Sequence, residues 1–314
     1  MNGSSSPILR YAWVLAAIAL LALLPLVLSH TYVYILISLF IMALFASSYN
    51  LVFGMTGLLS FCHATFYGAG AYTLAMSASL FGVPVLLGLV LAPLGAGILA
   101  AALGWIAVRT RGIQFAMLTL ALGQIVYTIV VRQHRLTGGE DGLLIAIPEW
   151  LNSVMVLYYL TFGICAVCLW FLWRLLHSPF GDALAAIRQN SQRAQFIGID
   201  VVAYQRTAFV IAGMLAGVAG ALRGLEQQAA YPTLLGWTQS AEPLLMTLAG
   251  GLTTFFGPII GAGLFVVLNF FVTKSFDYPL LVFGLVMLFI VLFLPGGVTS
   301  LWRRERPAPG APEA

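Results

Sequence analysis

Charge is what this chain has least of. Only 8% of its 314 residues are charged, 61% are hydrophobic, and the mean hydropathy is +1.00. A soluble domain carries roughly a quarter charged residues, so a water-facing globular surface is excluded. Lysine is nearly absent: Lys274 is the sole one, and Thr273 precedes it. A phosphate-cradling P-loop needs a Gly-Lys step, so the chain does not hydrolyse ATP by that route. No carboxylate falls at the centre of an apolar block. Glu226 and Glu242 sit near the outer ends of spans, Asp277 lies in a loop, and Arg223 stands three residues before Glu226, close enough to pair with it. Ion-driven carriers usually hold mid-membrane carboxylates. An ion-coupled secondary transporter is thereby weakened but stays open, because sodium sites can be built from carbonyls and hydroxyls. The three cysteines all lie in apolar runs, and the Cys165–Cys168 pair has neither a second pair nor a nearby histidine, which reads as packing rather than metal or redox chemistry. His63, the one histidine inside an apolar block, has no acidic partner nearby and reads as a helix-packing hydrogen-bonder. No enzyme, metal site or bound cofactor is expected of this chain.

What is present is a series of apolar blocks, each long enough to cross roughly 30 Å of hydrocarbon. They run Tyr11–Ser29, Tyr32–Phe53, Leu58–Ala78, Pro84–Val108, Ile113–Val131, Val154–Leu176, Thr207–Leu225, Pro243–Phe271 and Tyr278–Leu294. The first is read as a retained span because it lacks a clear cleavage site. The eighth is too long for one span and is interrupted at Gly250 and at Phe256–Pro258, so it is expected to form a helical hairpin broken near Gly257–Pro258. The expected fold is all-α: a polytopic helical membrane protein of about 8–10 transmembrane helices, including the broken hairpin. A single transmembrane domain, 11–301, lies between a short N-terminus, 1–10, and a polar tail, 302–314.

The net charge of +4 carries topology rather than nucleic-acid binding. With the N-terminus inside, Arg10, Arg109, Arg111, Arg174, Arg188, Arg193, Arg206, Arg303, Arg304 and Arg306 fall on the cytoplasmic side. Arg132, Arg135 and Lys274 fall outside, with the loop "TGGEDG". This asymmetry fits the positive-inside rule and places both termini in the cytoplasm.

One polar stretch interrupts the pattern, "SPFGDALAAIRQNSQRAQFIGID", Ser178–Asp200, within a cytoplasmic loop 177–206. It is read as one amphipathic helix, capped by Ser178, begun at Pro179 and stopped at Gly198. Leu184, Ile187, Ser191 and Ala194 form a narrow, weakly apolar face. Short side chains there suit a protein groove better than lipid headgroups, so the stretch is read as a docking knob for a cytoplasmic partner.

Five stretches occur in an order and spacing that resemble a known family: "LSFCHATFYGAGAY" (59–72), "RGIQFAMLTLALGQ" (111–124), "TGGEDGL" (137–143), "SPFGDALAAIRQNSQRAQFIGI" (178–199) and "LPGGVTSL" (294–301). Over roughly residues 30 to 301 the chain resembles the LivM-type permease of branched-chain amino acid ABC importers. Cys62, Thr65 and Glu140 depart from the family's usual residues. The resemblance implies a multi-pass subunit of the bacterial inner membrane that translocates branched-chain or related hydrophobic amino acids. It implies as partners a homologous LivH-type permease, two cytoplasmic ABC ATPases that carry ATP and magnesium, and a periplasmic substrate-binding protein. Related permeases carry urea, short amides or aromatic acids on the same scaffold. It further implies that Ser178–Ile199 is the segment coupling to the ATPase, with Gly181, Ala185, Ala186, Arg188, Arg193 and Gly198 as its key positions.

Glycine spacing adds a second set of candidates. Gly213 and Gly217, Gly220 and Gly224, and Gly257 and Gly261 each give the GxxxG separation that allows close helix packing. Spans interrupted at Gly54–Gly57 and Gly250–Gly257 can expose backbone groups only beside protein or a water-filled path. Asn50, Gly54, Gly57, Ser60, His63, Gly250, Gly251 and Gly257 are therefore candidate pathway positions, with tight helix contact as the equal alternative.

Overall fold

The computed structural model describes residues 21, 23–252, 254–275, 279–293 and 296–301. The first apolar block lies largely outside them, as do segments 1–10 and 302–314 and the placement of both termini. The described chain is helical. The principal helices are α1 (His30–Thr56), α2 (His63–Ser79), α3 (Val85–Ala107), α4 (Ile113–Arg132), α5 (Val154–Leu176), α6 (Pro179–Gln189), α7 (Ser191–Phe196), α8 (Val201–Gln227), α9 (Trp237–Gly250), α10 (Gly257–Ser275) and α11 (Pro279–Phe293). Six of them, α1, α3, α4, α5, α8 and α10, are long and apolar enough to cross a membrane. The 27 residues of α1 span about 40 Å.

The helices α1 and α8 form the centre. Their apolar windows are 78% and 72% buried, against 22% each for α4 and α5, so the latter two are little covered by the rest of the chain. Small residues let α8 approach its neighbours closely. A Cβ on Gly217 or Gly213 would fall on the Cβ of Ala96 or Ala100 in α3, and one on Gly220 would fall on the Tyr67 carbonyl in α2. These GxxxG spacings are tight helix contacts, in which backbone approach replaces the side-chain burial that drives soluble cores.

The break after α1 follows from glycine. Gly57 adopts φ 77°, and its N–H and that of Leu58 donate to the Phe53 and Val52 carbonyls, closing the helix with a left-handed cap. The third apolar block therefore starts as a non-helical segment, 57–62, and is helical only from His63. The eighth block is a broken hairpin, as its composition predicts. It starts earlier, at Trp237, carries Pro243 inside α9, and breaks between the end of α9 at Gly250 and the start of α10 at Gly257.

At the end of the bundle remote from α6, a two-stranded ladder pairs β1 (Leu143–Leu144) with β2 (Ala229–Ala230). The preceding loop turns on Gly138, Gly139 and Gly142, all at positive φ, and a Cβ on Gly142 would meet the Ala230 carbonyl at 2.5 Å. That clash explains the glycine at the last position of "TGGEDG".

Candidate functional site

The polar stretch is two helices rather than the single one expected. Asn190 is extended, at φ −160° and ψ 103°, and its side chain accepts from the Arg193 N–H, so it ends α6 and caps α7. Asparagine competes with the helical backbone in this way. Ser178 does not cap with its side chain: its hydroxyl donates to the Leu175 carbonyl at 2.6 Å. Asp200 caps α8 instead, accepting from the Ala203 N–H. Gly198, at φ 88°, stands past the end of α7.

The weakly apolar face points inward. Leu184, Ile187 and Ala194 are buried and Ser191 half-buried, because α6 packs against α1, α5 and α8 of its own chain. Phe180 stacks on Tyr204 with ring centroids 5.4 Å apart, tying α6 to α8. A Cβ on Gly181 would meet the Leu176 backbone, so glycine permits the tight exit from α5. Ala186 is half-buried, while Ala185, Arg188 and Arg193 are exposed. The outward apolar surface is formed by two residues absent from the expectation, Phe196 and Ile197, which are 90% and 75% exposed. Their signal in the sequence is two large apolar residues directly before Gly198 that fall out of register with the Leu184–Ala194 face.

Four of the candidate pathway glycines, Gly54, Gly250, Gly251 and Gly257, gather at one junction near α6. The guanidinium of Arg188 donates to the Gly54 carbonyl. A Cβ on Gly54 would fall on Asn50 Oδ1 and lie 3.0 Å from the Leu252 carbonyl, which places the hairpin tip against the last turns of α1. Asn50 Oδ1 itself is buried without a hydrogen-bond partner. A Cβ on Gly250 would fall on the Gly257 carbonyl, and one on Gly261 on the Met246 carbonyl, so close packing of α9 on α10 accounts for these glycines. The Thr299 hydroxyl donates to the Gly250 carbonyl at 2.8 Å, and Gly297 packs on the backbone of Gly251. The final motif thus closes over the hairpin tip.

Ser60 and His63 lie at the start of α2, where His63 packs against the turn of α1 that directly precedes Asn50. Gly57 lines a cleft of about 480 Å³ shared with the first turns of α4. His63 is fully buried, its Nε2 lies 2.9 Å from the Ser48 hydroxyl, and Phe45, Tyr49 and Phe66 surround its ring. Ser60 lies 3.4 Å from the Cys62 sulfur. The orphan N–H groups at the entry to α2 find side chains on other helices: Phe61 donates to Thr119 of α4 and Ala64 to Ser240 of α9, both buried hydroxyls. Irregular backbone at this depth persists only with such partners. Among the described residues no group of three or more His, Cys, Asp or Glu side chains gathers that could hold a metal.

Comparison with known proteins agrees with this architecture. The family model described as branched-chain amino acid transport system / permease component matches residues 31–293. The high-affinity branched-chain amino acid transport system permease protein LivM of Salmonella typhimurium and that of Escherichia coli are each 27% identical over 285 residues, covering 82% of this chain and 67% of theirs. The corresponding LivH protein of Salmonella typhimurium is 23% identical over 278 residues, covering 82% of this chain and 90% of its own. The chain belongs to the family of permease components of branched-chain amino acid transport systems.

Proposed function

We propose that this chain is a membrane-spanning subunit of a bacterial inner-membrane ABC importer for branched-chain amino acids, without enzymatic activity of its own. Its partners are a homologous LivH-type permease, two cytoplasmic ATPases holding ATP and magnesium, and a periplasmic binding protein that delivers substrate. In this reading α6 and α7 face the cytoplasm, and the "TGGEDG" loop faces the periplasm. Phe196 and Ile197 insert into an ATPase cleft. The stroke then passes from α6 to the end of α1 and to the hairpin tip, where the permeation path opens and closes.

The observation that carries this reading is the bond from Arg188 to the Gly54 carbonyl, because it joins the exposed polar segment to the one junction where α1, the hairpin and the final motif meet. The missing P-loop lysine supports the part of this reading in which energy comes from other subunits. Reconstitution tests the reading. The purified chain alone is expected to hydrolyse no ATP above a protein-free control, whereas the complex with its ATPases and binding protein takes up leucine in an ATP-dependent manner. Hydrolysis by the isolated chain, or an assembled complex that takes up no branched-chain amino acid, overturns it.

A further inference from the structure

At the end of the bundle opposite Arg188, a cleft of about 790 Å³ opens between α1, α8, α9 and α10. Its charges are unevenly matched. Arg223 and Glu226 neutralise each other at 2.6 Å, and the Ser38 hydroxyl links them, accepting from Arg223 at 3.1 Å and donating to Glu226 at 2.5 Å. Glu242, on the cleft wall, takes a hydrogen bond from the Gln239 amide but has no cation within ion-pair distance among the described residues. Lys274, at the rim, likewise has no carboxylate within that distance. Among the described residues the cleft thus holds one carboxyl group and one ammonium group that lie outside ion-pair distance of any opposite charge. Its remaining wall mixes apolar side chains, among them Ile35, Met42, Val266 and Phe270, with polar ones, among them Gln227, Thr233, Asn269 and Thr273.

We infer that this cleft is a receiving site for a free α-amino acid zwitterion with an aliphatic side chain. The ligand's ammonium pairs with Glu242, its carboxylate is drawn to Lys274, and its side chain lies on Ile35, Met42, Val266 and Phe270. A carboxylate held in a protein wall without a counter-ion is costly, and a ligand ammonium offsets that cost. An amine or a carboxylic acid alone satisfies only one of the two charges, so the site selects the zwitterion. This inference rests on the importer reading above.

The test uses the complete importer in proteoliposomes, with leucine as substrate and isoamylamine and 4-methylpentanoate as competitors carrying one charge each. Glu242→Gln is expected to lower leucine uptake about tenfold, as loss of one charge-assisted contact predicts, while the ATPase subunits still co-purify. Lys274→Glu, at an exposed helix end where the fold tolerates change, is expected to lower uptake severalfold. Neither competitor is expected to inhibit wild-type uptake at leucine-like concentrations. Wild-type uptake by either variant, or inhibition by a singly charged analogue as strong as by leucine, overturns the site. If Glu242→Gln fails to assemble, Lys274→Glu alone decides. Absence of leucine uptake by the wild-type complex overturns the importer reading itself, and the site with it.

Discussion

The guanidinium of Arg188 hydrogen-bonds to the main-chain carbonyl of Gly54, across 134 residues of sequence. The contact links a surface helix to the last turns of a central span. The Gly54 carbonyl lies where α1 is about to end, so its intrahelical partner is among those lost at a helix C-terminus. A charged donor at that position also complements the helix dipole.

Removing the guanidinium separates binding of a partner from transmission of its motion. Arg188→Ala is expected to leave the protein inserted and the ATPase subunits bound, since the outward surface of α7 is untouched. Uptake is expected to fall about tenfold, the order of a lost charge-assisted hydrogen bond. Co-purification and uptake measured on the same preparation check this. Loss of both together would make Arg188 a docking residue rather than a transmitting one.

The proposed function places docking at the exposed pair Phe196 and Ile197, at the end of α7. Phe196 has almost its whole side chain exposed, and an aromatic side chain that fills a partner's pocket typically contributes more than 1 kcal/mol to association. Phe196→Ala is expected to weaken ATPase co-purification at least about fivefold. Ala185→Glu, on the exposed side of α6, is expected to do so by bulk and charge. Quantified pull-down of the ATPase subunits reads both. Undiminished pull-down by both variants would show that the partner sits elsewhere.

The sequence carries some of these features plainly and others not at all. Block lengths define the spans because the hydrocarbon sets a minimum run of apolar residues. The glycine pairs of α8 are legible because close packing has a fixed spacing. The break at Asn190 is not legible, since an asparagine inside a polar run serves equally as a helix residue or as a cap. The inward turn of Leu184 and Ile187 is hidden for a different reason: an apolar stripe records that it is covered, not by what. The cleft at Glu242 is hidden because Ser38, Arg223 and Glu242 come together only when α1, α8 and α9 pack.

The sidedness proposed from the arginine asymmetry is directly measurable. Asp141 and Gln192 are both exposed, at opposite ends of the bundle. Cys62 and Cys165 are buried and Cys168 half-buried, so the native thiols give little background. Asp141→Cys is expected to react with a membrane-impermeant maleimide in intact cells. Gln192→Cys is expected to react only after the membrane is opened. The reverse pattern would invert the orientation.

Helix packing gives a prediction with an internal control. Gly220 and Gly163 both lie inside long helices, and neither has a positive φ. A Cβ on Gly163 would have nothing within 4 Å, because its side of α5 faces open space. A Cβ on Gly220 would collide with the Tyr67 carbonyl, a backbone atom of α2 that moves only if the helix moves. Gly163→Ala is therefore expected to be neutral or to stabilise by up to about 1 kcal/mol, through the lower conformational freedom of alanine in the unfolded chain. Gly220→Ala is expected to destabilise by about 1–3 kcal/mol, the usual cost of overpacking a filled interface. Thermal unfolding of the two variants in the same detergent compares them directly. Equal midpoints would mean that α8 and α2 are not packed backbone to backbone at Gly220, and that the centre of the bundle is looser than the structure has it.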